Sequence, residues 1–141
     1  MKGNITKNFT WEEAIVTNTG IDNRITDNKV KDNIINVATK VMQLVRDYMG
    51  VSITVNSWFR NPQVNVLAKG SITSSHLKGE AVDFVCNDLL KAFNFIKDNL
   101  EFDQLIWEFG RWIHVSYREG NNRRQVLRAV KEKGKTVYRV Y

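Results

Sequence analysis

The chain has 141 residues, 43% hydrophobic and 26% charged, the composition of one globular domain around a single core. No apolar run approaches the roughly 20 residues a membrane helix needs. The opening Met1-Lys2-Gly3-Asn4 leads into polar residues rather than a secretory leader, and the lone Cys86 excludes an internal disulfide framework or a cysteine-rich zinc site. The net charge of +6 sits at one end: residues 118–141 carry Arg118, Arg123, Arg124, Arg128, Lys131, Lys133, Lys135 and Arg139 against Glu119 and Glu132, whereas residues 1–117 balance. These features predict a protein made in the cytoplasm without a signal peptide, with a basic segment suited to an anionic polymer. Only Tyr138 and Tyr141 interleave with that charge, so no nucleic-acid groove is expected.

In chain order, Thr10-Trp11-Glu12-Glu13 reads as a capping box opening a short helix that runs through Val16. Val30, Ile34, Val37, Val41, Leu44, Val45 and Tyr48 recur at helical spacing up to Met49, where Gly50 stops the helix. Val51–Val55 is short and β-branched and predicts a buried strand. Asn61-Pro62 starts a helix that ends near Lys69-Gly70, and a polar loop, Ser71–Ser75, follows. Ala81–Val85 predicts a strand, Asp88–Leu100 an amphipathic helix, and Gln104–Phe109 with Trp112–Tyr117 a strand pair about Gly110. Val126–Val130 and Val137–Tyr141, split by Lys133-Gly134-Lys135, predict a final hairpin. The expected class is α+β, with helices packed on a mainly antiparallel sheet.

The two histidines carry the chemistry. His76 leaves a polar loop, Gly79 allows a sharp turn, and Asp83 follows seven residues after the histidine. In one continuous strand that odd interval would put the two side chains on opposite faces, but a turn at Gly79 lets both point at one centre. The second segment, Glu108-Phe109-Gly110-Arg111-Trp112-Ile113-His114, admits two registers. A two-residue turn at Gly110-Arg111 sends Glu108 and His114 to opposite faces. A three-residue loop or a bulge instead pairs Phe109 with Ile113 and Glu108 with His114, and gathers Leu105, Trp107, Phe109, Ile113, Val115 and Tyr117 on one apolar face. The odd loop separates apolar from polar better and is the expected register.

Each histidine alone is more often a hydrogen-bonded core group than a ligand, but both have a suitably spaced carboxylate. His76, Asp83 and His114 supply three zinc ligands and leave a fourth position open, the arrangement of a catalytic site. Glu108, beside that centre but not ligating, is placed to take a proton from water and pass it to a leaving amine, so amide hydrolysis is the implied reaction. Cys86 is expected to be a buried apolar residue, and Trp58 beside Arg60 a candidate cleft wall.

Ser57-Trp58-Phe59-Arg60-Asn61-Pro62-Gln63-Val64-Asn65, Ser75-His76 with Asp83, and Trp107-Glu108 with His114-Val115-Ser116 resemble the zinc D-Ala-D-Ala carboxypeptidases. That superfamily also includes lysostaphin-type endopeptidases and hedgehog domains. Phe9-Thr10-Trp11-Glu12-Glu13 and Gly20-Ile21-Asp22-Asn23 are similar to its short phage-borne and bacterial members, and the resemblance covers residues 9–118. It implies one hedgehog/DD-peptidase-like domain over residues 1–141, with 119–141 as a basic C-terminal hairpin or tail. It also implies Zn²⁺ on His76, Asp83 and His114, Glu108 as catalytic base, Arg60 facing the substrate carbonyl or carboxylate, and Ser75 holding substrate backbone. Trp58-Phe59 stands where the family has Gly-Tyr, so a tyrosine hydroxyl is absent there, and some carboxypeptidase relatives have a shorter glutamate-to-histidine interval. The implied substrate is a peptidoglycan stem or cross-bridge peptide, cut by a monomeric D,D- or L,D-carboxypeptidase or endopeptidase. A phage endolysin delivered to an anionic wall fits this description. The alternative is a non-catalytic, zinc-containing wall-binding or virion-associated module of the same fold, against which an intact Glu108 stands.

Overall fold

The structure is a computed structural model and describes residues 2–141. Local signals become element ends. Thr10 Oγ1 accepts from the Glu13 amide while the Glu13 carboxylate accepts from the Thr10 amide, and this box opens α1 (Trp11–Ala14). Asp27 caps α2 (Asn28–Val37), which continues through a π-helical turn, Ala38–Met42, into α3 (Gln43–Met49) and stops at Gly50. β1 is Thr54–Ser57, three residues later than the β-branched run predicts, because its partners lie there: Thr54 pairs Val85 and Ser57 pairs Asp83, with a bulge between. Asn61 caps α4 (Pro62–Leu67), with Pro62 at its start. A 3-10 turn, Ser75–Lys78, leads into β2 (Ala81–Val85), and Asp88 caps α5 (Leu89–Asn99). The remaining strands are β3 (Gln104–Glu108), β4 (Trp112–Ser116), β5 (Gln125–Glu132) and β6 (Lys135–Val140).

The six strands form one mixed sheet in the order β1-β2-β4-β3-β5-β6, antiparallel except for the β3–β5 pair, so this is a single α+β domain. Period-two alternation divides the sheet's faces. Val82, Phe84, Leu105, Ile113 and Val115 turn to the helices and are fully buried against Val37, Val41, Val45, Phe93 and Ile96. Each such side chain contributes about 1.5–3 kcal/mol by leaving water. The opposite face carries Asp83, His114, Ser116, Ile106 and Glu108. The helix layer therefore fixes the strands while the other face remains available for chemistry. No helix is long and apolar enough to cross a membrane among the described residues.

The basic C-terminal segment is built into this sheet. Arg123 makes a two-pronged ion pair with the buried Asp103 carboxylate, Nε and Nη2 each at 2.8 Å. Arg124 donates to the Leu100 and Lys97 carbonyls at the end of α5, and Arg139 pairs with Glu132. Three of the segment's eight basic residues thus help to hold β5 and β6 in place.

Hydrogen bonds from the Arg123 side chain hold the Asp103 carboxyl below its usual range, against the opposing effect of burial. A depressed carboxyl stabilises the fold above its unfolded value and loses that effect as pH falls through the folded one. Asp103→Asn is expected to cost about 1–2 kcal/mol at pH 7, limited by the solvent exposure of Arg123. In urea titrations the gap from wild type should close as pH drops below about 4.

Candidate metal centre and its cleft

His76 is positioned by its backbone surroundings. Ser74 Oγ accepts from the His76 amide, and the turn ends at Gly79 with φ of 73°. A Cβ at Gly79 would lie 2.8 Å from Ile34 Cγ1, so only glycine allows α2 to approach this closely. The His76 carbonyl accepts from the Arg60 amide at 3.0 Å, and Asn33 Nδ2 donates to the Lys78 carbonyl at 3.0 Å. His76 Nδ1 donates to the Trp58 carbonyl at 2.6 Å, which turns Nε2 toward the sheet and fixes its tautomer. Trp58 is fully buried, and its indole N–H donates to the Gly79 carbonyl; it braces this turn from inside the core instead of walling the cleft.

Asp83 and His114 are directly opposed on the adjacent strands β2 and β4. One Asp83 oxygen lies 2.8 Å from His114 Nδ1 and the other 3.2 Å from His76 Nε2. The imidazole rings stand edge to face with centroids 5.2 Å apart. One ligand atom from each of His76, Asp83 and His114 lies within 4.8 Å of the other two. Donors about 2.1 Å from a tetrahedral ion lie roughly 3.4 Å from one another, so this set fits zinc without rearrangement of the strands. Burial opposes ionisation of Asp83, but the two imidazoles outweigh it and keep the carboxyl well below its usual value. Burial likewise lowers His76, leaving the neutral imidazole that a ligand must be.

Glu108 reaches the same face by a register one pair away from that expected. Glu108 opposes Trp112, and Ile106 opposes His114. The loop does have three residues, but Phe109 enters it: Phe109 and Gly110 take φ of 59° and 72°, and the Arg111 amide closes on the Glu108 carbonyl at 2.9 Å. The Phe109 amide donates to Ala129 on β5, which draws this residue out of the β3–β4 ladder. Because the shift is two residues, face parity is unchanged. Glu108 lies diagonal to His114, at about 7–8 Å in place of direct opposition, which leaves room for a water and a carbonyl between them. The residue is 8% exposed, and burial, reinforced by the Asp83 charge and partly offset by His114, pushes its pKa up to about 7.

Arg60 lies at the β1 end of the centre. Its Nε donates to Ser57 Oγ at 3.0 Å and Nη1 to Asn65 Oδ1 at 3.3 Å, while Nη2 is 3.5 Å from Asp83. Ser75 lines the cleft next to His76. Cys86 is half-buried just beyond β2, with its thiol directed at the Asp88 carbonyl, and takes no part in the centre.

The cleft has a volume of about 660 Å³ and extends well past the metal-binding residues. The Lys69–Ser75 segment forms one side. Across the sheet its floor continues through Ile106 to Gln125, Leu127, Thr136 and Tyr138 of β5 and β6, with Trp112 at another edge. Apart from Ser75, these lining residues did not stand out in the sequence, although the odd-even alternation along β5 carries the signal for Gln125 and Leu127. Asn65 was also missed, because its role depends on meeting Arg60 across a turn.

A family model for peptidase M15 matches residues 7–116, from just ahead of the capping box to the last residue of β4. No curated protein matches the chain.

A carboxyl raised on folding destabilises the fold once it is ionised, so the penalty grows as pH rises from about 4.5 through 7. Metal-free Glu108→Gln is therefore expected to be more stable than metal-free wild type by roughly 1–3 kcal/mol at pH 8. Urea unfolding should show the two converging below pH 4.5.

Proposed function

The chain belongs to the peptidase M15 family of zinc-dependent metallopeptidases, and on that premise we propose that it hydrolyses amide bonds in bacterial peptidoglycan peptides. The observation that carries this reading is the convergence of His76, Asp83 and His114 within 4.8 Å, with the buried Glu108 carboxyl on the same sheet face.

His76, Asp83 and His114 would hold the zinc, which would supply a Lewis acid for the scissile carbonyl and lower the pKa of water. Glu108 accepts the proton of the attacking water and returns it to the leaving amine, a role that its buried position on the same sheet face as the cluster suits. Arg60, braced by Ser57 and Asn65, offers N–H donors to the oxygen on which negative charge grows, or to a substrate carboxylate. Ser75 holds substrate backbone at the rim. The Trp58 carbonyl keeps His76 in the tautomer that presents Nε2.

The substrate class is the stem or cross-bridge peptide, cut next to a D-amino acid. The biological setting is cell-wall lysis or remodelling, with a phage endolysin as the favoured role and a monomer as the working form. Lys133 and Lys135, exposed at the β5–β6 turn, support an added attraction to an anionic wall polymer. Glu108 weighs against the non-catalytic module, since a binding protein has no use for a buried carboxyl beside its metal.

Purified protein should contain about one zinc per chain by metal analysis, and His76→Ala should lose it. Glu108→Gln should retain zinc yet cleave purified peptidoglycan about 10²–10⁴-fold more slowly, followed by mass spectrometry of released peptides. A zinc-free wild type, or unchanged turnover in Glu108→Gln, overturns the mechanism.

A further inference from the structure

The cleft has two arms about the metal-binding residues. Arg60 occupies the arm at β1. The other crosses β3 and ends on the C-terminal hairpin, beyond the residues matched to the peptidase family. The ladder registers set its floor. Asp83 opposes His114, His114 opposes Ile106, Ile106 opposes Leu127 and Leu127 opposes Val140, so these side chains form one row on the open face. One side of the row carries Gln104 and Gln125, joined by a 2.7 Å hydrogen bond from Gln104 Nε2 to Gln125 Oε1. Gln104 Oε1 and Gln125 Nε2 make no other side-chain hydrogen bond among the described residues, which leaves an acceptor and donors to match a peptide group. The other side carries Tyr138, aligned with Glu108 through the small, buried Ala129.

The chemistry of this arm is uniform. Leu127, Gln125, Thr136 and Tyr138 bring an apolar floor, amides and hydroxyls to the cleft, and no ionised group. The nearby Lys131 is turned to Thr136 Oγ1 at 3.0 Å, and Arg139 is paired with Glu132. Neighbouring strands lie about 4.8 Å apart, so Leu127 is about 10 Å from His114 across the sheet. An extended peptide advances about 3.4 Å per residue and covers that span in about three residues.

We propose that the β5–β6 hairpin is a specificity element that selects an uncharged segment of the peptide substrate, seating on Leu127 the side chain about three residues from the cut, on the side away from Arg60. This rests on the peptidase reading and narrows it. Neutral cross-bridge peptides of alanine, glycine or serine fit this arm, whereas stem segments that place an acidic or basic residue there are disfavoured, because a charge entering it loses water without gaining a partner.

The test uses the zinc-loaded full chain and synthetic peptides containing a D-Ala-D-Ala bond, with free or blocked carboxyl ends and alanine, glutamate or lysine at the third residue before that bond. Cleavage is measured as kcat/KM, and binding to the Glu108→Gln protein is measured by calorimetry. The alanine peptide should exceed both charged peptides by at least tenfold in binding and in any cleavage. Leu127→Lys should move the preference toward glutamate over lysine by at least fivefold, and Leu127→Glu should move it the other way. Equal treatment of the three peptides by the parent chain, or identical preferences in the two oppositely charged variants, overturns the proposal. If the variants lose their folded circular dichroism signal, the discrimination by the parent chain decides alone. Absent cleavage with intact discrimination in binding counts against the peptidase reading and leaves the subsite standing; absent binding of all peptides overturns the subsite.

Discussion

The arrangement of the site depends on one carboxylate. Asp83 sits in β2 between the fully buried Val82 and Phe84, so its direction is set by core packing on the opposite face. Its two oxygens meet His114 from the neighbouring strand and His76 from the 3-10 turn. A lone carboxylate in that position would be costly to bury. The His114 imidazole at 2.8 Å and a guanidinium at 3.5 Å satisfy it, while the bare Nε2 of His76 faces its second oxygen, and together these groups collect the donor set that a divalent ion requires.

The supports of the two histidines differ in kind. His114 is held by the sheet ladder, whose register is enforced by Ile113 and Val115 in the core. His76 lies outside the sheet and relies on local chemistry: the Ser74 cap, the positive φ at Gly79, and backbone carbonyls that accept from His76 Nδ1 and from Trp58. Arg60 belongs to the same local network, since its amide donates to the His76 carbonyl. A strand ladder thus provides one half of the centre, and a set of loop hydrogen bonds anchored on a buried tryptophan provides the other.

The hairpin adds a second layer to this design. Its ion pair through Asp103 and its parallel pairing with β3 attach it to the strand that carries Glu108. The Phe109 amide donates to Ala129 of the hairpin, so the position at which β3 ends, and with it the diagonal placement of Glu108, depends partly on β5. The cleft floor on the hairpin and the strand end that carries Glu108 are therefore mechanically connected, and the charge-rich end of the chain is part of the cleft's framework.

Much of this was legible in the residues. The capping box at Thr10, the Asn61-Pro62 helix start, the β2 boundaries and the grouping of His76, Asp83 and His114 follow from short-range chemistry, because caps, turns and alternation act within a few residues. Three features needed the assembled sheet. β1 moved to where β2 offered partners, Phe109 left its strand because Ala129 accepted its amide, and Gln125 and Leu127 joined the cleft by pairing with a strand some twenty residues earlier in the chain, bringing Tyr138 with them through β6. The sequence by itself determined which side chains gather at the His76, Asp83 and His114 cluster and which face each strand turns to the core. Tertiary structure alone decided which strands are neighbours and at which residue a ladder stops, because those choices balance hydrogen bonds and packing between segments that no local pattern connects.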